Sequence, residues 1–279
     1  MKKILITGAK SYIGTSFEKY INENYPEDYI VDTIDMLDGS WREKSFAGYD
    51  SVFHVAGIAH QKETKRNSKM YYAVNRDLAI ETAEKSKFEG VKQFIFLSSM
   101  SVYGMDTGII TRNTVPNPIS NYGKSKLEAE HKISTLVDKN FKVCILRPPM
   151  VYGKECKGNF TKIKRLVEKS PIFPYVRNER SMVYIDNLSA FVKMCVDKKM
   201  FGIFYPQNED YVSTMDLVRG ISAGINKKIY FEYISGIVIL LIRPFIPMLR
   251  KAFSTLVYDI NDDLNYCVIS KMESIERSV

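Results

Sequence analysis

The N-terminal stretch Met1-Lys2-Lys3-Ile4-Leu5-Ile6-Thr7-Gly8-Ala9-Lys10-Ser11-Tyr12-Ile13-Gly14 decides how this chain folds. Residues 4–7 read as a short buried strand that runs directly into a glycine turn and then a helix over 13–22. Gly8 permits the tight strand-to-helix turn, and Gly14, with no side chain, lets the helix lie close to the sheet. The start of that helix offers free N–H groups and a positive dipole end to a pyrophosphate. Asp35 closes a second strand, 21 residues after Gly14, where a carboxylate accepts both hydroxyls of an adenosine ribose and repels a 2′-phosphate. Together these residues point to NAD rather than NADP. Taken singly, they also fit an ordinary βα turn and an aspartate capping a strand end.

Working outward, strands over 30–35, 51–56, 93–98 and 143–147 alternate with helices over 71–87 and 122–136. Strands without charge in their middles, separated by helices, predict a parallel sheet covered on both faces, the doubly wound α/β (Rossmann) arrangement. The pattern closes near Pro148-Pro149, and the order beyond it is less regular: helices over 160–168, 187–197 and 214–224 and a strand over 181–185. The expected organisation is a dinucleotide-binding domain over 1–152, with 182–205 returning to it. A smaller C-terminal, mainly substrate-binding domain over 153–279 follows without a linker.

Length and composition agree with that class. A chain of 279 residues with 45% hydrophobic and 26% charged residues buries a large core and is not disordered. Cys144, Cys156, Cys195 and Cys267 lie far apart, which predicts reduced thiols in a cytoplasmic setting and no structural zinc. The first apolar run stops at Gly8, unlike a signal peptide. No His/Cys/carboxylate cluster has metal-ligand spacing, so no metal is expected. His54 in a strand and His131 on a helix suit packing or surface roles, while His60 follows the third strand toward the expected site mouth. The net charge of +8 is interleaved with 32 acidic residues and no basic run reaches five, which argues against a nucleic-acid partner. Such a surface suits polyanionic small molecules or an anionic membrane face.

A second constellation carries the chemistry. The strand over 94–97 ends in Ser98-Ser99-Met100-Ser101-Val102-Tyr103-Gly104, and a later helix begins Tyr122-Gly123-Lys124-Ser125-Lys126. Tyr122 and Lys126 stand four apart on one helical face, so the ammonium is expected beside the phenol. A free phenol titrates near 10. A neighbouring cation and an oxidised nicotinamide would both stabilise the phenolate and make Tyr122 a usable base. Ser99 is placed to hold a substrate oxygen as it loses its proton.

On these residues the chain resembles the extended short-chain dehydrogenase/reductases, and within them the NAD-dependent nucleotide-sugar epimerase/dehydratase group. The resemblance rests on the Thr7-Gly8-Ala9…Gly14 turn, Asp35, His54-Val55-Ala56-Gly57, Asn75, the Ser98-Ser99…Val102-Tyr103-Gly104 strand end, Tyr122/Lys126 and Leu146-Arg147-Pro148. The family's middle turn glycine is Ser11 here. The resemblance implies that Gly8, Ser11, Tyr12, Ile13 and Gly14 hold the pyrophosphate and Asp35 the adenosine ribose. It also implies Ala56, Gly57, Asn75 and Ser98 along the dinucleotide, Lys126 on the nicotinamide ribose, and Pro149 and Val151 bordering the nicotinamide. Ser99 and Tyr122 become the acid/base pair. Ser101, the Lys157-Gly158-Asn159-Phe160 loop with Asn159, and Arg180 become contacts to a nucleotide sugar such as a UDP-hexose. A homodimer through a four-helix bundle of the 71–87 and 122–136 helices is implied as well.

Three reactions share these residues. A 4,6-dehydratase of the family carries Thr-Asp-Glu before Val-Tyr-Gly, whereas this chain has Ser99-Met100-Ser101, so dehydration is disfavoured. A 4-epimerase, working through a 4-keto sugar by reversible hydride transfer, needs only Ser99, Tyr122 and retained NAD, and surface polysaccharide precursor synthesis is the expected setting. A 4-ketoreductase uses the same triad and often takes NADPH; Asp35 favours the epimerase. A non-catalytic dinucleotide binder is the reading from another class, and the intact Tyr122/Lys126 pair argues against it. The apolar run Gly236-Ile237-Val238-Ile239-Leu240-Leu241-Ile242 is too short to span a bilayer. With Pro244 and Pro247 behind it, it is expected to pack as a cover over the sugar site, membrane contact through Arg243, Arg250 and Lys251 being the less favoured alternative.

Overall fold

The computed structural model describes residues 1–59, 63, 64, 66–156, 158–260 and 265–279. In chain order the first elements are β1 (Lys2–Thr7), α1 (Tyr12–Asn24), β2 (Tyr29–Ile34), β3 (Ser51–His54), α2 (Ser68–Tyr72), α3 (Leu78–Phe88) and β4 (Gln93–Leu97). Next come β5 (Gly108–Ile110), α4 (Asn121–Ser134), β6 (Lys142–Leu146), β7 (Met150–Tyr152), α5 (Asn159–Lys169), β8 (Ile172–Pro174), β9 (Met182–Tyr184) and α6 (Ile185–Asp197). Last are β10 (Gly202–Phe204), α7 (Thr214–Gly224), β11 (Tyr230–Glu232), α8 (Tyr233–Ile242), α9 (Pro247–Phe253), β12 (Leu256–Tyr258) and α10 (Lys271–Arg277). They form two compact units, one of residues 1–104, 116–148 and 188–206, the other of residues 105–115, 149–187 and 207–279.

The first unit is built on a six-stranded parallel sheet in the order β10-β6-β4-β3-β1-β2. This is the doubly wound α/β fold. The chain lays β2 on one side of β1 and then returns to place β3 on the other, so the strand order reverses between β1 and β3. Ligands of open α/β sheets bind beyond the carboxyl ends of the strands at such a switch point. β3 and β4 are buried along their whole length, as a sheet covered on both faces requires. On one face Val52, Phe94, Phe96 and Ile145 meet Ala79, Ala83, Ala129 and Ile133 of α3 and α4, and small alanines let both helices approach closely.

The helix expected over 71–87 is broken into α2, a wider π turn over Ala73–Asp77, and α3. The π turn carries buried Asn75, and such turns inside helices are frequent at functional sites. Periodicity could not show this, because one widened turn barely changes the spacing of apolar residues.

Beneath the end of β4 lies a buried polar network. The Arg147 guanidinium donates to both Glu130 oxygens, its shortest contact being 2.6 Å, and to the Tyr103 hydroxyl at 2.8 Å. The Ser98 hydroxyl also donates to Glu130. Ser98 therefore turns its side chain into the buried network. His54, stacked between Phe94 and Phe96, is buried, and its Nδ1 meets the Thr7 hydroxyl at 2.8 Å. His131 is exposed, and His60 lies outside the described residues.

The second unit holds three short parallel ladders, β7–β9, β8–β11 and β5–β12. Asn187 donates to Asn208 at 3.1 Å, and Asn208 to the Tyr152 hydroxyl at 2.8 Å, tying β7 to the start of α6. The tail differs from the expected cover. Gly236 of α8 presses against the Tyr175 carbonyl, where an added Cβ would lie 2.1 Å from the oxygen, and Tyr233 stacks on Tyr175 at 4.5 Å. Packing stops there: Ile234, Ile237, Val238 and Leu241 of the same helix stay exposed. A ten-residue helix that touches its own unit through a glycine can cover only one side of itself.

Removing one partner of a buried ion pair leaves the other charge uncompensated. Glu130→Ala should lower unfolding free energy by about 3–5 kcal/mol in urea denaturation, and Glu130→Gln by less, since the amide keeps an acceptor for Arg147.

Candidate active site

The candidate site of the first unit begins at the switch point. Gly8 sits at a φ of +114°, and a Cβ there would lie 2.9 Å from the Ala56 backbone nitrogen. Backbone angle and space both demand glycine at this position. A Cβ on Gly14 would lie 2.7 Å from Ser11 Oγ and 3.0 Å from the Val55 side chain, so α1 rests directly on the ends of β1 and β3. Ser11, in place of the family's middle glycine, caps α1: its hydroxyl accepts from the Gly14 N–H at 3.0 Å. Tyr12 and Ile13 form the first turn of α1, whose remaining N–H groups face the carboxyl end of the sheet.

Asp35 follows β2 and is half-buried. One oxygen accepts from the Leu37 N–H at 3.0 Å, and the other lies 3.8 Å from the largely exposed Lys10 ammonium. Beside this strand end is a cavity of about 270 Å³ lined by Met36, Leu37, Trp41, Ala73 and Leu78 among others.

Asn75 holds the loop after β3. Its Oδ1 accepts from Ile58 N at 2.8 Å and its Nδ2 donates to Ile58 O at 3.1 Å, a two-way clip that fixes Ala56-Gly57-Ile58. A Cβ on Gly57 would lie 3.0 Å from Asn75 Oδ1 and 3.5 Å from Lys126 Nζ, so these three residues share one corner.

At the end of β4, Ser99 starts a tight 3-10 turn over Met100–Tyr103, its hydroxyl accepting from Ser101 N at 3.1 Å. α4 comes close here because its third residue is glycine: a Cβ on Gly123 would lie 2.5 Å from the Ser101 carbonyl. That approach brings Tyr122 toward Ser99 at the end of β4. Burial raises the Tyr122 phenol above its ordinary pKa, and the neighbouring Ser99 hydroxyl draws it partly back. Lys126 reaches toward the strand end. Its ammonium donates to the Leu97 carbonyl at 2.7 Å, and burial brings its pKa down to about 7, partly opposed by Glu130. The spacing on one helical face was read correctly, but the long side chain extends toward the strand end.

Glu63 is a residue that sequence reading missed. One oxygen accepts from the Asn121 N–H and the other from the Tyr122 N–H, each at 3.0 Å. A carboxylate at a helix N-terminus satisfies free donors and the dipole, and this one grips the residue that carries the phenol. Only folding brings the two together, from 59 positions apart. Ser120, which caps α4 by accepting from Gly123 N at 3.0 Å, was legible as a serine preceding the helix.

In the second unit, Pro149 is buried before β7 and Val151 lies within it. Asn159 is exposed at the first turn of α5, Gly158 preceding it at a φ of +114°, while Lys157 lies outside the described residues. Arg180 is half-buried, donates to the Ser254 carbonyl at 2.9 Å, and is held below its ordinary pKa by burial. Among the described residues no three His, Cys, Asp or Glu side chains are grouped to hold a metal ion.

A glycine turn at a switch point, a carboxylate at the end of the neighbouring strand and a Ser/Tyr/Lys group at one strand end together form a candidate dinucleotide site. The chain belongs to the NAD dependent epimerase/dehydratase family, whose model matches residues 4–202. It is 32% identical over 253 residues to the UDP-glucose 4-epimerase of Vibrio cholerae, covering 81% of this chain and 76% of that one. It is 26% identical to the N-acetyl-alpha-D-glucosaminyl-diphospho-ditrans,octacis-undecaprenol 4-epimerase of Escherichia coli O157:H7, covering 81% and 73%. Its fold matches that of the UDP-glucuronic acid 4-epimerase of Bacillus cereus in complex with NAD, with a TM-score of 0.75 at 21% identity over 99% of this chain and 97% of that one. NAD is the cofactor, and the residues fit it: the side-chain-free cradle at Gly8 and Gly14 admits a pyrophosphate, and Asp35 keeps acceptor capacity for ribose hydroxyls.

His54 sets a pH dependence of stability. Burial holds its pKa at about 3, against 6.5 ordinarily, so the unfolded chain binds a proton that the folded chain refuses. Stability is therefore full above about pH 6.5 and should fall on acidification by about 1.4 kcal/mol per pH unit from this residue. Denaturation midpoints between pH 6.5 and 5 should follow that slope in the wild type and flatten in His54→Phe.

Proposed function

We propose that this protein is a nucleotide-sugar 4-epimerase that acts on a UDP-hexose with tightly held NAD. The observation that carries the reading is the close approach of α4 to the end of β4 at Gly123 and Ser101, which brings Ser99 and Tyr122 to one strand end, together with the corner shared by Gly57, Asn75 and Lys126. The relatives above are named for 4-epimerisation, while the sugar and its carrier differ among them. That supports the position of the reacting hydroxyl more strongly than the identity of the sugar. UDP-hexose, and a role in polysaccharide precursor synthesis, extend the reading.

Bound NAD supplies the oxidation and re-reduction of the sugar carbon. Gly8, Ser11, Tyr12, Ile13 and Gly14 would hold its pyrophosphate, Asp35 its adenosine ribose, and the cavity beside Met36 and Leu37 has room for the purine. Ala56 and Gly57 would border the dinucleotide, held in place by the Asn75 clip, and Lys126 would meet the second ribose. Tyr122 Oη takes the proton of the sugar hydroxyl and later returns it. Ser99 Oγ steadies that oxygen and, beside the phenol, favours the phenolate. Burial raises the phenol pKa in the protein alone, and a bound oxidised nicotinamide would lower it by its positive charge. Chemistry is thereby tied to a loaded site. Glu63 steadies Tyr122 from the backbone side. Ser101, Asn159 and Arg180 are assigned to the nucleotide sugar, and Pro149 and Val151 to the nicotinamide border. A homodimer through α2–α3 and α4 belongs to the same reading, and its mass is measurable by light scattering.

Two outcomes check the assignment. Tyr122→Phe keeps the ring but removes the oxygen; NAD should stay bound while interconversion of UDP-glucose and UDP-galactose falls at least about a hundredfold. Near-normal turnover would reject Tyr122 as the base, and a requirement for added NADPH would point to a reductase. Asp35→Asn removes the carboxylate and leaves Lys10 free to meet a 2′-phosphate, so the ratio of NAD to NADP affinities, measured by calorimetry, should move toward NADP.

A further inference from the structure

The apolar face of α8 serves neither the site nor the core. Ile234 (74% exposed), Val238 and Leu241 (68%) follow one another at helical spacing, with Ile237 and Ile242 on their flanks and Phe245 (84%) in the turn after the helix. Gly236, on the opposite side, is the buried residue of this helix, locked against the Tyr175 carbonyl. The exposed face carries no hydrogen-bonding side chain along its centre. Contiguous apolar patches of more than a few hundred Å² are rare on surfaces that meet only water.

The surrounding charge says what covers it. Between Lys227 and Lys251 the chain carries Lys227, Lys228, Arg243, Arg250 and Lys251 against a single acid, Glu232. Glu232 is committed to the start of α8, accepting from Ile234 N at 2.6 Å and Ser235 N at 2.5 Å. Exposed Arg177 donates to the Tyr175 hydroxyl at 3.3 Å, next to the Tyr175–Tyr233 stack. At the other end Arg250 and Lys251 share one carboxylate, Asp106, at 3.1 and 3.9 Å, which leaves an excess of positive charge. Lys227 donates to the Val167 and Glu168 carbonyls and Arg243 to the Phe253 carbonyl, contacts that leave their charges unneutralised. An apolar helix in a segment with this excess of cations matches an anionic bilayer surface, where acyl chains receive the isoleucines and leucines and lipid phosphates receive the basic residues. A second copy of the chain is a poorer match. A two-fold contact on this face would add the same excess of cations from both sides, and like charges across an interface oppose association.

We infer that α8 docks this protein on the surface of an anionic membrane, with Ile234, Ile237, Val238, Leu241 and Phe245 inserted at the headgroup boundary. The helix lies on the bilayer and does not cross it: among the described residues no helix is long and apolar enough to span. This contact is independent of the reaction assigned to the site. Flotation of the full chain with vesicles tests it. Protein should float with phosphatidylglycerol/phosphatidylcholine vesicles at low salt, float several-fold less with phosphatidylcholine alone, and be released from the mixed vesicles at high salt. The double substitution Ile237→Asp/Leu241→Asp lies on exposed positions and should keep the melting temperature while abolishing flotation. Should that variant unfold, Leu241→Trp replaces it, and its emission should shift to the blue when anionic vesicles are added. Wild type that stays in the soluble fraction at low salt, or a folded double variant that floats as well as wild type, overturns the proposal. So does a drop in mass by light scattering in the double variant, which would assign the face to a second copy.

Discussion

Everything at the carboxyl end of the sheet depends on one close approach, that of the backbone at Gly8 to the backbone at Ala56. The reversal of strand order between β1 and β3 opens a crevice there, and a crevice is useful only if its floor is thin. A Cβ at Gly8 or Gly14 would force α1 away from β3 by its contacts with Ala56 and Val55. The free N–H groups of the helix would move with it. The same contact sets the height at which the Ala56-Gly57-Ile58 loop leaves the sheet, and the Asn75 clip then holds that loop to the π turn.

Around this floor the protein places its titratable groups by burial more than by neighbouring charge. Lys126 lies under the site with its ammonium on a carbonyl, and the dry environment brings it to about 7. Tyr122 is raised for the same reason and is relieved only by Ser99. Burial disfavours the charged form of both groups, and a cation bound beside them would act most strongly where the surroundings screen it least. Support for the pair comes from the sides: Glu63 on the start of α4, and Glu130 with Arg147 and Ser98 under the strand end. The second unit contributes differently, its short ladders and the Asn187–Asn208–Tyr152 chain giving a frame of side-chain hydrogen bonds where the first unit has a broad sheet.

Much of the architecture was legible in the sequence, because it follows from short-range rules. Uncharged apolar runs of four to six residues separated by amphipathic segments leave a covered parallel sheet as the economical arrangement. Glycines at 8 and 14 with a carboxylate at 35 specify a dinucleotide turn through backbone geometry, and Tyr122 and Lys126 share a helical face whatever surrounds the helix. What tertiary structure alone decided is the direction and company of long side chains. Lys126 reaches the Leu97 carbonyl, Ser98 turns inward to Glu130, and Glu63 arrives from 58 positions away to cap the helix of the candidate base. The tail shows the same division. Its apolar character is plain in residues 236–242, but only the contact of Gly236 with Tyr175 determines which side is covered and which remains exposed. Local pattern determines which backbone a segment adopts, whereas the partner of a flexible or outward-facing side chain is set by whatever distant segment the fold brings beside it.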